Sequence, residues 1–207
     1  MLIIKIGGSL YDTKELIHWL NKLTSNQTEQ PIVIVPGGGP FAEQVRLAQQ
    51  SHQLDNSSAH HMALLAMAQF GILISDLQSQ CKPFYFSETV TPNFPALSVW
   101  LPDLHLLSQK EISQNWSFTS DSLALWLAVQ LQASKLLLIK REPLSTHSHC
   151  NLSADKLYEL GIIDPSFPAL FNQSSIVTTI MHYQDYDHFP SFLNGCNSVG
   201  INLSKNL

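Results

Sequence analysis

The sequence predicts an α/β fold with parallel strands, and three observations carry that expectation. The apolar run Leu2-Ile3-Ile4-Lys5-Ile6 ends in Gly7-Gly8-Ser9, and the apolar run Ile32-Val33-Ile34-Val35 ends in Pro36-Gly37-Gly38-Gly39. Between them, residues 14–23 place Leu16, Ile17, Leu20 and Leu23 at helical spacing. A buried strand, a helix and a second buried strand make a crossover unit of the parallel kind, right-handed by default.

Each later element follows from its own pattern. Pro40, directly after the glycines, suits the first turn of a helix predicted over residues 41–50. Residues 58–70, with Ala59, Met62, Ala63, Leu65, Ala66 and Phe70, predict a second helix that Gly71 ends or bends. Phe84-Tyr85-Phe86 and residues 96–101 read as strands separated by the turn-rich Thr91-Pro92-Asn93-Phe94-Pro95, and residues 104–107 as a short helical turn. Ser120-Asp121-Ser122 introduces a helix over residues 123–131, with Ser120 or Asp121 as its cap, and residues 135–139 form another apolar strand. A short helix is expected over residues 154–160, and the last strands over 176–180 and 199–203.

With 207 residues, 44% hydrophobic and 13% charged, the chain is expected to form one globular domain rather than a disordered segment. A net charge of -5, with 11 basic residues and no basic run, argues against a nucleic-acid partner. The first strand starts at the first residue, so no targeting segment is expected, and no apolar stretch reads as reaching the roughly 20 residues that span a bilayer. Cys81, Cys150 and Cys196 are odd in number and widely separated, which fits free thiols in a reducing cytoplasm.

Glycine leaves backbone N–H groups open to a ligand, and a helix N-terminus adds a dipole favourable to anions. The two glycine-ended strands therefore read as a pair of phosphate cradles with Lys5 between them. A lysine inside an apolar strand is costly to desolvate unless it meets solvent or an anion. Neither loop carries the spacing of the common mononucleotide or dinucleotide fingerprints.

Lys5-Ile6-Gly7-Gly8-Ser9, Val35-Pro36-Gly37-Gly38-Gly39 and Ser120-Asp121-Ser122-Leu123-Ala124 together resemble the amino acid kinase superfamily, which includes acetylglutamate, carbamate, uridylate and isopentenyl phosphate kinases. Phe192-Leu193-Asn194-Gly195 through Val199-Gly200-Ile201 resembles that family's C-terminal segment. Ala59-His60-His61-Met62-Ala63-Leu64-Leu65-Ala66-Met67, followed by Gln69-Phe70-Gly71, is most similar to one small branch. Its members phosphorylate an aminomethylfuran-methyl phosphate in methanofuran biosynthesis, and they have relatives in methylotrophic bacteria.

The resemblance implies a three-layer α/β/α sandwich with a mainly parallel central sheet, the amino acid kinase fold. It places the acceptor side at about residues 1–115 and the nucleotide side at about 116–207, with the site at the carboxyl ends of the strands. It also implies ATP and Mg²⁺, transfer of a γ-phosphoryl group to a phosphate or carboxylate oxygen of a small molecule, and a possible homo-oligomer. The alternatives are a kinase of another acceptor (isopentenyl phosphate, an acyl carboxylate or a nucleoside monophosphate) and a non-catalytic binding or regulatory homologue.

Phosphoryl transfer needs aligned reactants and neutralised oxygens rather than covalent help. On that chemistry Lys5, Asp121 and Lys140 are the candidate catalytic residues, and Gly7, Gly8, Ser9, Gly37, Gly38 and Gly39 the candidate phosphate cradle. His60 and His61 are candidates for the acceptor, and Lys140 and Arg141 for the nucleotide, with Mg²⁺ carried by nucleotide phosphates and no protein metal ligand expected. Asp121 is too acidic to deprotonate an acceptor at neutral pH, so it reads as the group orienting Lys5 and other cations, a role compatible with helix capping. His60 and His61 read equally as ordinary helix histidines, and Trp100, Trp116, Phe118 and Trp126 as packing residues.

Three departures from the family pattern stand out. Ile139-Lys140-Arg141-Glu142-Pro143-Leu144 has proline where members carry glycine, and Gly161-Ile162-Ile163-Asp164-Pro165-Ser166-Phe167-Pro168-Ala169 lacks a second lysine, which leaves Lys140 to replace it. Ile201 stands where threonine is common. His147-Ser148-His149-Cys150 reads as a flexible polar loop in preference to a metal site.

Overall fold

The computed structural model describes residues 1–26, 30–87, 94–142, 151–196 and 198–205. Leu2–Ile6 (β1) and Ile32–Pro36 (β2) pair in parallel, Lys5 opposite Val35, with the helix Lys14–Ser25 (α1) joining them. On its other side β1 pairs in parallel with Lys135–Lys140 (β5), Lys5 opposite Leu138. Adding Lys82–Phe84 (β3), Leu97–Trp100 (β4), Asn151–Ser153 (β6), Val177–His182 (β7) and Ile201–Ser204 (β8) gives one eight-stranded sheet in the order β3-β4-β2-β1-β5-β7-β8-β6. Among the described residues only β7 and β8 pair antiparallel, so the mainly parallel expectation holds.

Residues alternate between the two faces of each strand, and this divides the core. Ile3, Val33, Val35, Leu136 and Leu138 pack on one face against the helix Ser120–Gln130 (α4) and against Ala154–Glu159 (α5) and Phe167–Gln173 (α6). Ile4, Ile6, Ile34, Leu137 and Ile139 pack on the other face against α1 and the short helix Phe189–Leu193 (α7). The helices Gly39–His52 (α2) and Asn56–Leu77 (α3) pack on each other beside the carboxyl end of β2. The result is the three-layer sandwich.

Several expectations need correction. Gly71 does not end its helix: α3 continues to Leu77, and a Cβ at Gly71 would lie 2.5 Å from the Leu101 side chain, so the glycine lets the helix approach the sheet closely. At 22 residues α3 is also long and apolar enough to cross a bilayer by length and composition, against the expectation that no stretch was; 44% of that window is buried in the chain. The helix after Thr119 begins at Ser120, so neither Ser120 nor Asp121 is its cap, and Thr119 itself makes no side-chain capping bond. The strand expected at Phe84-Tyr85-Phe86 lies at Lys82–Phe84, and β6, α6 and α7 are additional elements too short to announce themselves by periodicity. Pro143 and the run His147-Ser148-His149-Cys150 lie outside the described residues, as do Thr91, Pro92 and Asn93.

Candidate active site

Lys5 shares a face of β1 with Ile3, and Lys140 shares a face of β5 with Leu136 and Leu138. Both ammonium groups therefore point from the sheet toward α4, whose first turn supplies Asp121. Lys5 Nζ lies 2.9 Å from Asp121 Oδ1, and Lys140 Nζ donates to Asp121 Oδ2 at 2.6 Å. The three side chains are only 5–8% exposed, so two cations share one carboxylate away from water.

Electrostatics inside this trio are unequal. Burial pushes the Asp121 carboxyl up, but Lys140 and Lys5 outweigh it and hold the group at about 2. Lys140 is raised: burial pulls it down, and the Asp121 carboxylate more than compensates. Lys5 is lowered, mainly by burial and further by Lys140, against the pull of Asp121. With all three groups charged the trio carries one net positive charge, and Lys5 is the less compensated cation, the position an incoming anion would complete.

The two glycine loops meet main chain to main chain. A Cβ on Gly8 would lie 2.2 Å from the Gly39 nitrogen, and one on Gly37 would lie 2.3 Å from the Gly8 nitrogen, so no side chain fits at either position. Gly39 also sits at φ +56, a left-handed conformation that suits glycine. The expected cradle is thereby narrowed. The Gly7 N–H donates to Ile139 O and the Gly37 N–H to Ile6 O, so these two amides extend the sheet and are not open to a phosphate. Gly8 and Ser9 lie in a short 3-10 turn and Gly38 and Gly39 at the start of α2, where first-turn amides lack intrahelical acceptors.

A cleft of about 580 Å³ opens beside these loops at the carboxyl ends of β1, β2 and β5. Strand order reverses about β1, whose neighbours are β2 and β5, and open α/β sheets place ligands at such a point. Gly8, Ser9, Gly38 and Gly39 form one wall, and Phe118, Thr119 and Ser120 the wall leading into α4. Lys5, Asp121 and Lys140 do not line the cleft; they lie directly behind it, Asp121 following Ser120 in the chain. Arg141 lines it and donates from Nη1 to Ser9 O at 3.2 Å, tying the end of β5 to the first glycine loop.

The far end is built by residues that sequence reasoning missed. Glu43 and Arg46 of α2 place both signs of charge on the cleft, and Asp12, four residues after Gly8, lines it as well. The Arg46 guanidinium lies 3.7 Å from the Trp116 ring centroid, and the Trp116 indole N–H donates to Gln49 Oε1 at 2.6 Å. Trp116 is thus a cleft wall as well as a packing residue, whereas Trp100 and Trp126 are buried in the core as expected. Arg46 sits on a helix face that looks solvent-facing in sequence, and Trp116 precedes any periodic segment, so neither gave a signal.

His60 and His61 separate. His60 is buried, lines the cleft, and its ring is hydrogen-bonded to the Asn115 main chain, while Nε2 has no partner among the described residues. Burial holds its imidazole below the usual pKa, despite the Asn115 bond. His61 is half-buried and does not line the cleft, because consecutive residues on a helix point about 100° apart. Among the described residues no group of three or more His, Cys, Asp or Glu is arranged to hold a metal ion.

Residues 1–83 match the model of the amino acid kinase family, a segment that carries β1, both glycine loops and α3. A protein of Methanocaldococcus jannaschii described as [5-(aminomethyl)furan-3-yl]methyl phosphate kinase is 27% identical, across 96% of this chain and 95% of its own. Among solved structures, a UMP kinase from Ureaplasma parvum superposes with a TM-score of 0.73 at 15% identity, covering 99% of this chain and 98% of that one. A uridylate kinase from Archaeoglobus fulgidus also gives 0.73 at 15% identity, covering 98% and 99%. These two likenesses concern the fold.

Proposed function

We propose that the chain is a member of the amino acid kinase family, whose model matches residues 1–83, and that it transfers the γ-phosphoryl group of ATP to the phosphate of an aminomethylfuran-methyl phosphate, giving the diphosphate. The observation that carries this reading is the buried Lys5-Asp121-Lys140 trio set directly behind two interlocked glycine loops. The whole-length similarity to the Methanocaldococcus jannaschii kinase supports the choice of acceptor.

In this mechanism an acceptor phosphate oxygen attacks the γ-phosphorus, and the bond to the ADP oxygen breaks. A phosphate monoester has its second pKa near 6, so the attacking oxygen is already unprotonated at neutral pH and no general base is required. Asp121, held between two ammonium groups, serves instead to fix them. Lys5 lies two residues before Gly7, within about 7 Å along the strand, so its charge faces oxygens resting on the Gly8, Ser9, Gly38 and Gly39 amides. Mg²⁺ would neutralise nucleotide phosphate oxygens; both Asp121 oxygens are taken by lysines, which fits an ion held by phosphates and water.

The far end of the cleft suits an amine. With one ring nitrogen bonded to the Asn115 main chain and the imidazole neutral, His60 presents Nε2 as an acceptor, and Glu43, whose Oε2 lies 3.9 Å from Arg46 Nε, adds a carboxylate. An ammonium group satisfies such acceptors, whereas an isoprenoid tail satisfies none of them.

A transfer assay with ATP, Mg²⁺ and a panel of phosphorylated acceptors tests this. Diphosphate formation is expected with the aminomethylfuran-methyl phosphate and not with isopentenyl phosphate or UMP. A folded protein that transfers to none of them removes the kinase reading, and one that prefers another acceptor removes only the substrate.

A further inference from the structure

Asp164 lies 43 residues after Asp121 in the sequence, yet its carboxylate closes the first turn of α4. Oδ2 accepts from the Thr119 N–H at 3.0 Å, the Thr119 hydroxyl at 2.8 Å and the Ser122 N–H at 3.0 Å. Oδ1 accepts from the Ser122 hydroxyl and from the Phe167 N–H, the latter at 3.1 Å, at the start of α6. Asp164 is 8% exposed, and these five donors surround both of its oxygens.

The geometry is that of a helix cap supplied from elsewhere in the chain. Thr119, at the capping position, makes no capping bond of its own and turns its hydroxyl onto Asp164 instead. The carboxylate thus fills the site where α4 has orphan amides and a positive dipole end, and it does the same for α6. Asp121 is the second residue of that first turn, between the residues Asp164 grips at 119 and 122. Fixing the main chain on both sides of Asp121 fixes where its carboxylate meets Lys5 and Lys140.

We infer that Asp164 is a positioning residue for phosphoryl transfer: it holds the first turn of α4 so that the Asp121 carboxylate bridges the two buried lysines. The inference rests on the kinase reading for its effect on turnover, and on geometry alone for its effect on the lysines.

Two readouts test it. With a suitable acceptor, Asp164→Asn is expected to lower kcat about tenfold or more while leaving KM for ATP and acceptor within about threefold, since a displacement near 1 Å is enough to cost that much. In protein labelled with ¹³C at the lysine ε-carbon, the Lys5 and Lys140 resonances, identified by their loss in Lys5→Met and Lys140→Met, are expected to shift in Asp164→Asn. Leu23→Ala, on the buried face of α1, is the control for destabilisation alone; it should move neither readout.

Unshifted lysine resonances, a kcat within twofold of wild type, or a loss equal to that of Leu23→Ala would each overturn the assignment. Should Asp164→Asn not fold, Ser122→Ala removes one of the five bonds and is expected to lower kcat about threefold with smaller shifts of the same resonances. No change there overturns the assignment equally. If the wild type transfers phosphate to nothing, the kinase reading fails, and the resonances still decide whether Asp164 places Asp121.

Discussion

Lys5 and Lys140, on adjacent parallel strands, end on opposite oxygens of the single Asp121 carboxylate, 2.9 Å and 2.6 Å away. Neither strand would bury its lysine without Asp121, because each ammonium would lack a counter-ion. One carboxylate between them leaves a preorganised positive charge that an anion completes, which is what a transferring phosphoryl group requires.

Removing the two signs of this arrangement should have different effects on folding. Lys5→Met leaves Asp121 paired with Lys140, so stability is expected to change by less than about 1 kcal/mol, while turnover falls by about 10²–10³. Asp121→Asn leaves two buried cations facing each other and is expected to cost about 3–5 kcal/mol. Urea denaturation and initial rates check both, and near wild-type transfer by Lys5→Met would show the site misplaced.

Acid should reveal the Asp121 contribution separately. Its folded pKa of about 2 lies below the ordinary 3.8, so the stabilisation is complete above about pH 4 and is lost as pH falls through about 2. The stability difference between wild type and Asp121→Asn is therefore expected to narrow over that interval. A gap that stays constant down to pH 2 would contradict the pairing.

Alkali should act through Lys5, whose pKa is lowered by burial. The free protein gives up this proton at a lower pH than an ordinary lysine, and a bound phosphate anion restores it, so nucleotide binding at alkaline pH should take up protons. Calorimetry in two buffers of different ionisation enthalpy measures the uptake. It should be absent in Lys5→Met.

A methyl group at Gly8 should disrupt the site through geometry alone. Its Cβ would fall 2.2 Å from the Gly39 nitrogen and 2.7 Å from the Gly39 Cα, both main-chain atoms that cannot step aside. Gly8→Ala is expected to destabilise by about 1–3 kcal/mol and to weaken nucleotide binding. Gly161→Ala is the contrast: its Cβ meets nothing within 4 Å, though its φ of +69 leaves it some strain, so it should lose stability but not binding.

The far wall should govern the acceptor alone. Trp116→Ala frees Arg46 from its stacked position and is expected to raise KM for the acceptor about tenfold, with KM for ATP unchanged. Equal effects on both substrates would place the nucleotide, rather than the acceptor, against this wall.

What could be read from sequence was what rests on short-range pattern. The apolar runs of β1, β2 and β5 gave the central strands, and Lys5 was visible because a cation interrupts such a run. Asp121 and Lys140 were visible as residue types at strand and helix ends, although their contact depends on two strands lying side by side. Gly7 and Gly37 were overread, since composition cannot tell an open amide from one that lengthens a sheet. Asp164, Arg46 and Trp116 gave no local signal at all, because what each does is set by a partner far along the chain or on another helix.

Gly8, Gly37 and Gly39 have a mechanical consequence. Because the loops after β1 and β2 touch through their main chains, neither can swing without pushing the other, and the two behave as one fixed bracket. On the proposed reading, the gap across which phosphorus would move is then set like the jaw of a gauge. On the same reading, a longer or shorter acceptor would be fitted at the opposite end, by the side chains of Trp116, Arg46 and His60, which line the cleft. Evolution of new acceptors on this scaffold is expected to change those three positions before it touches the glycines.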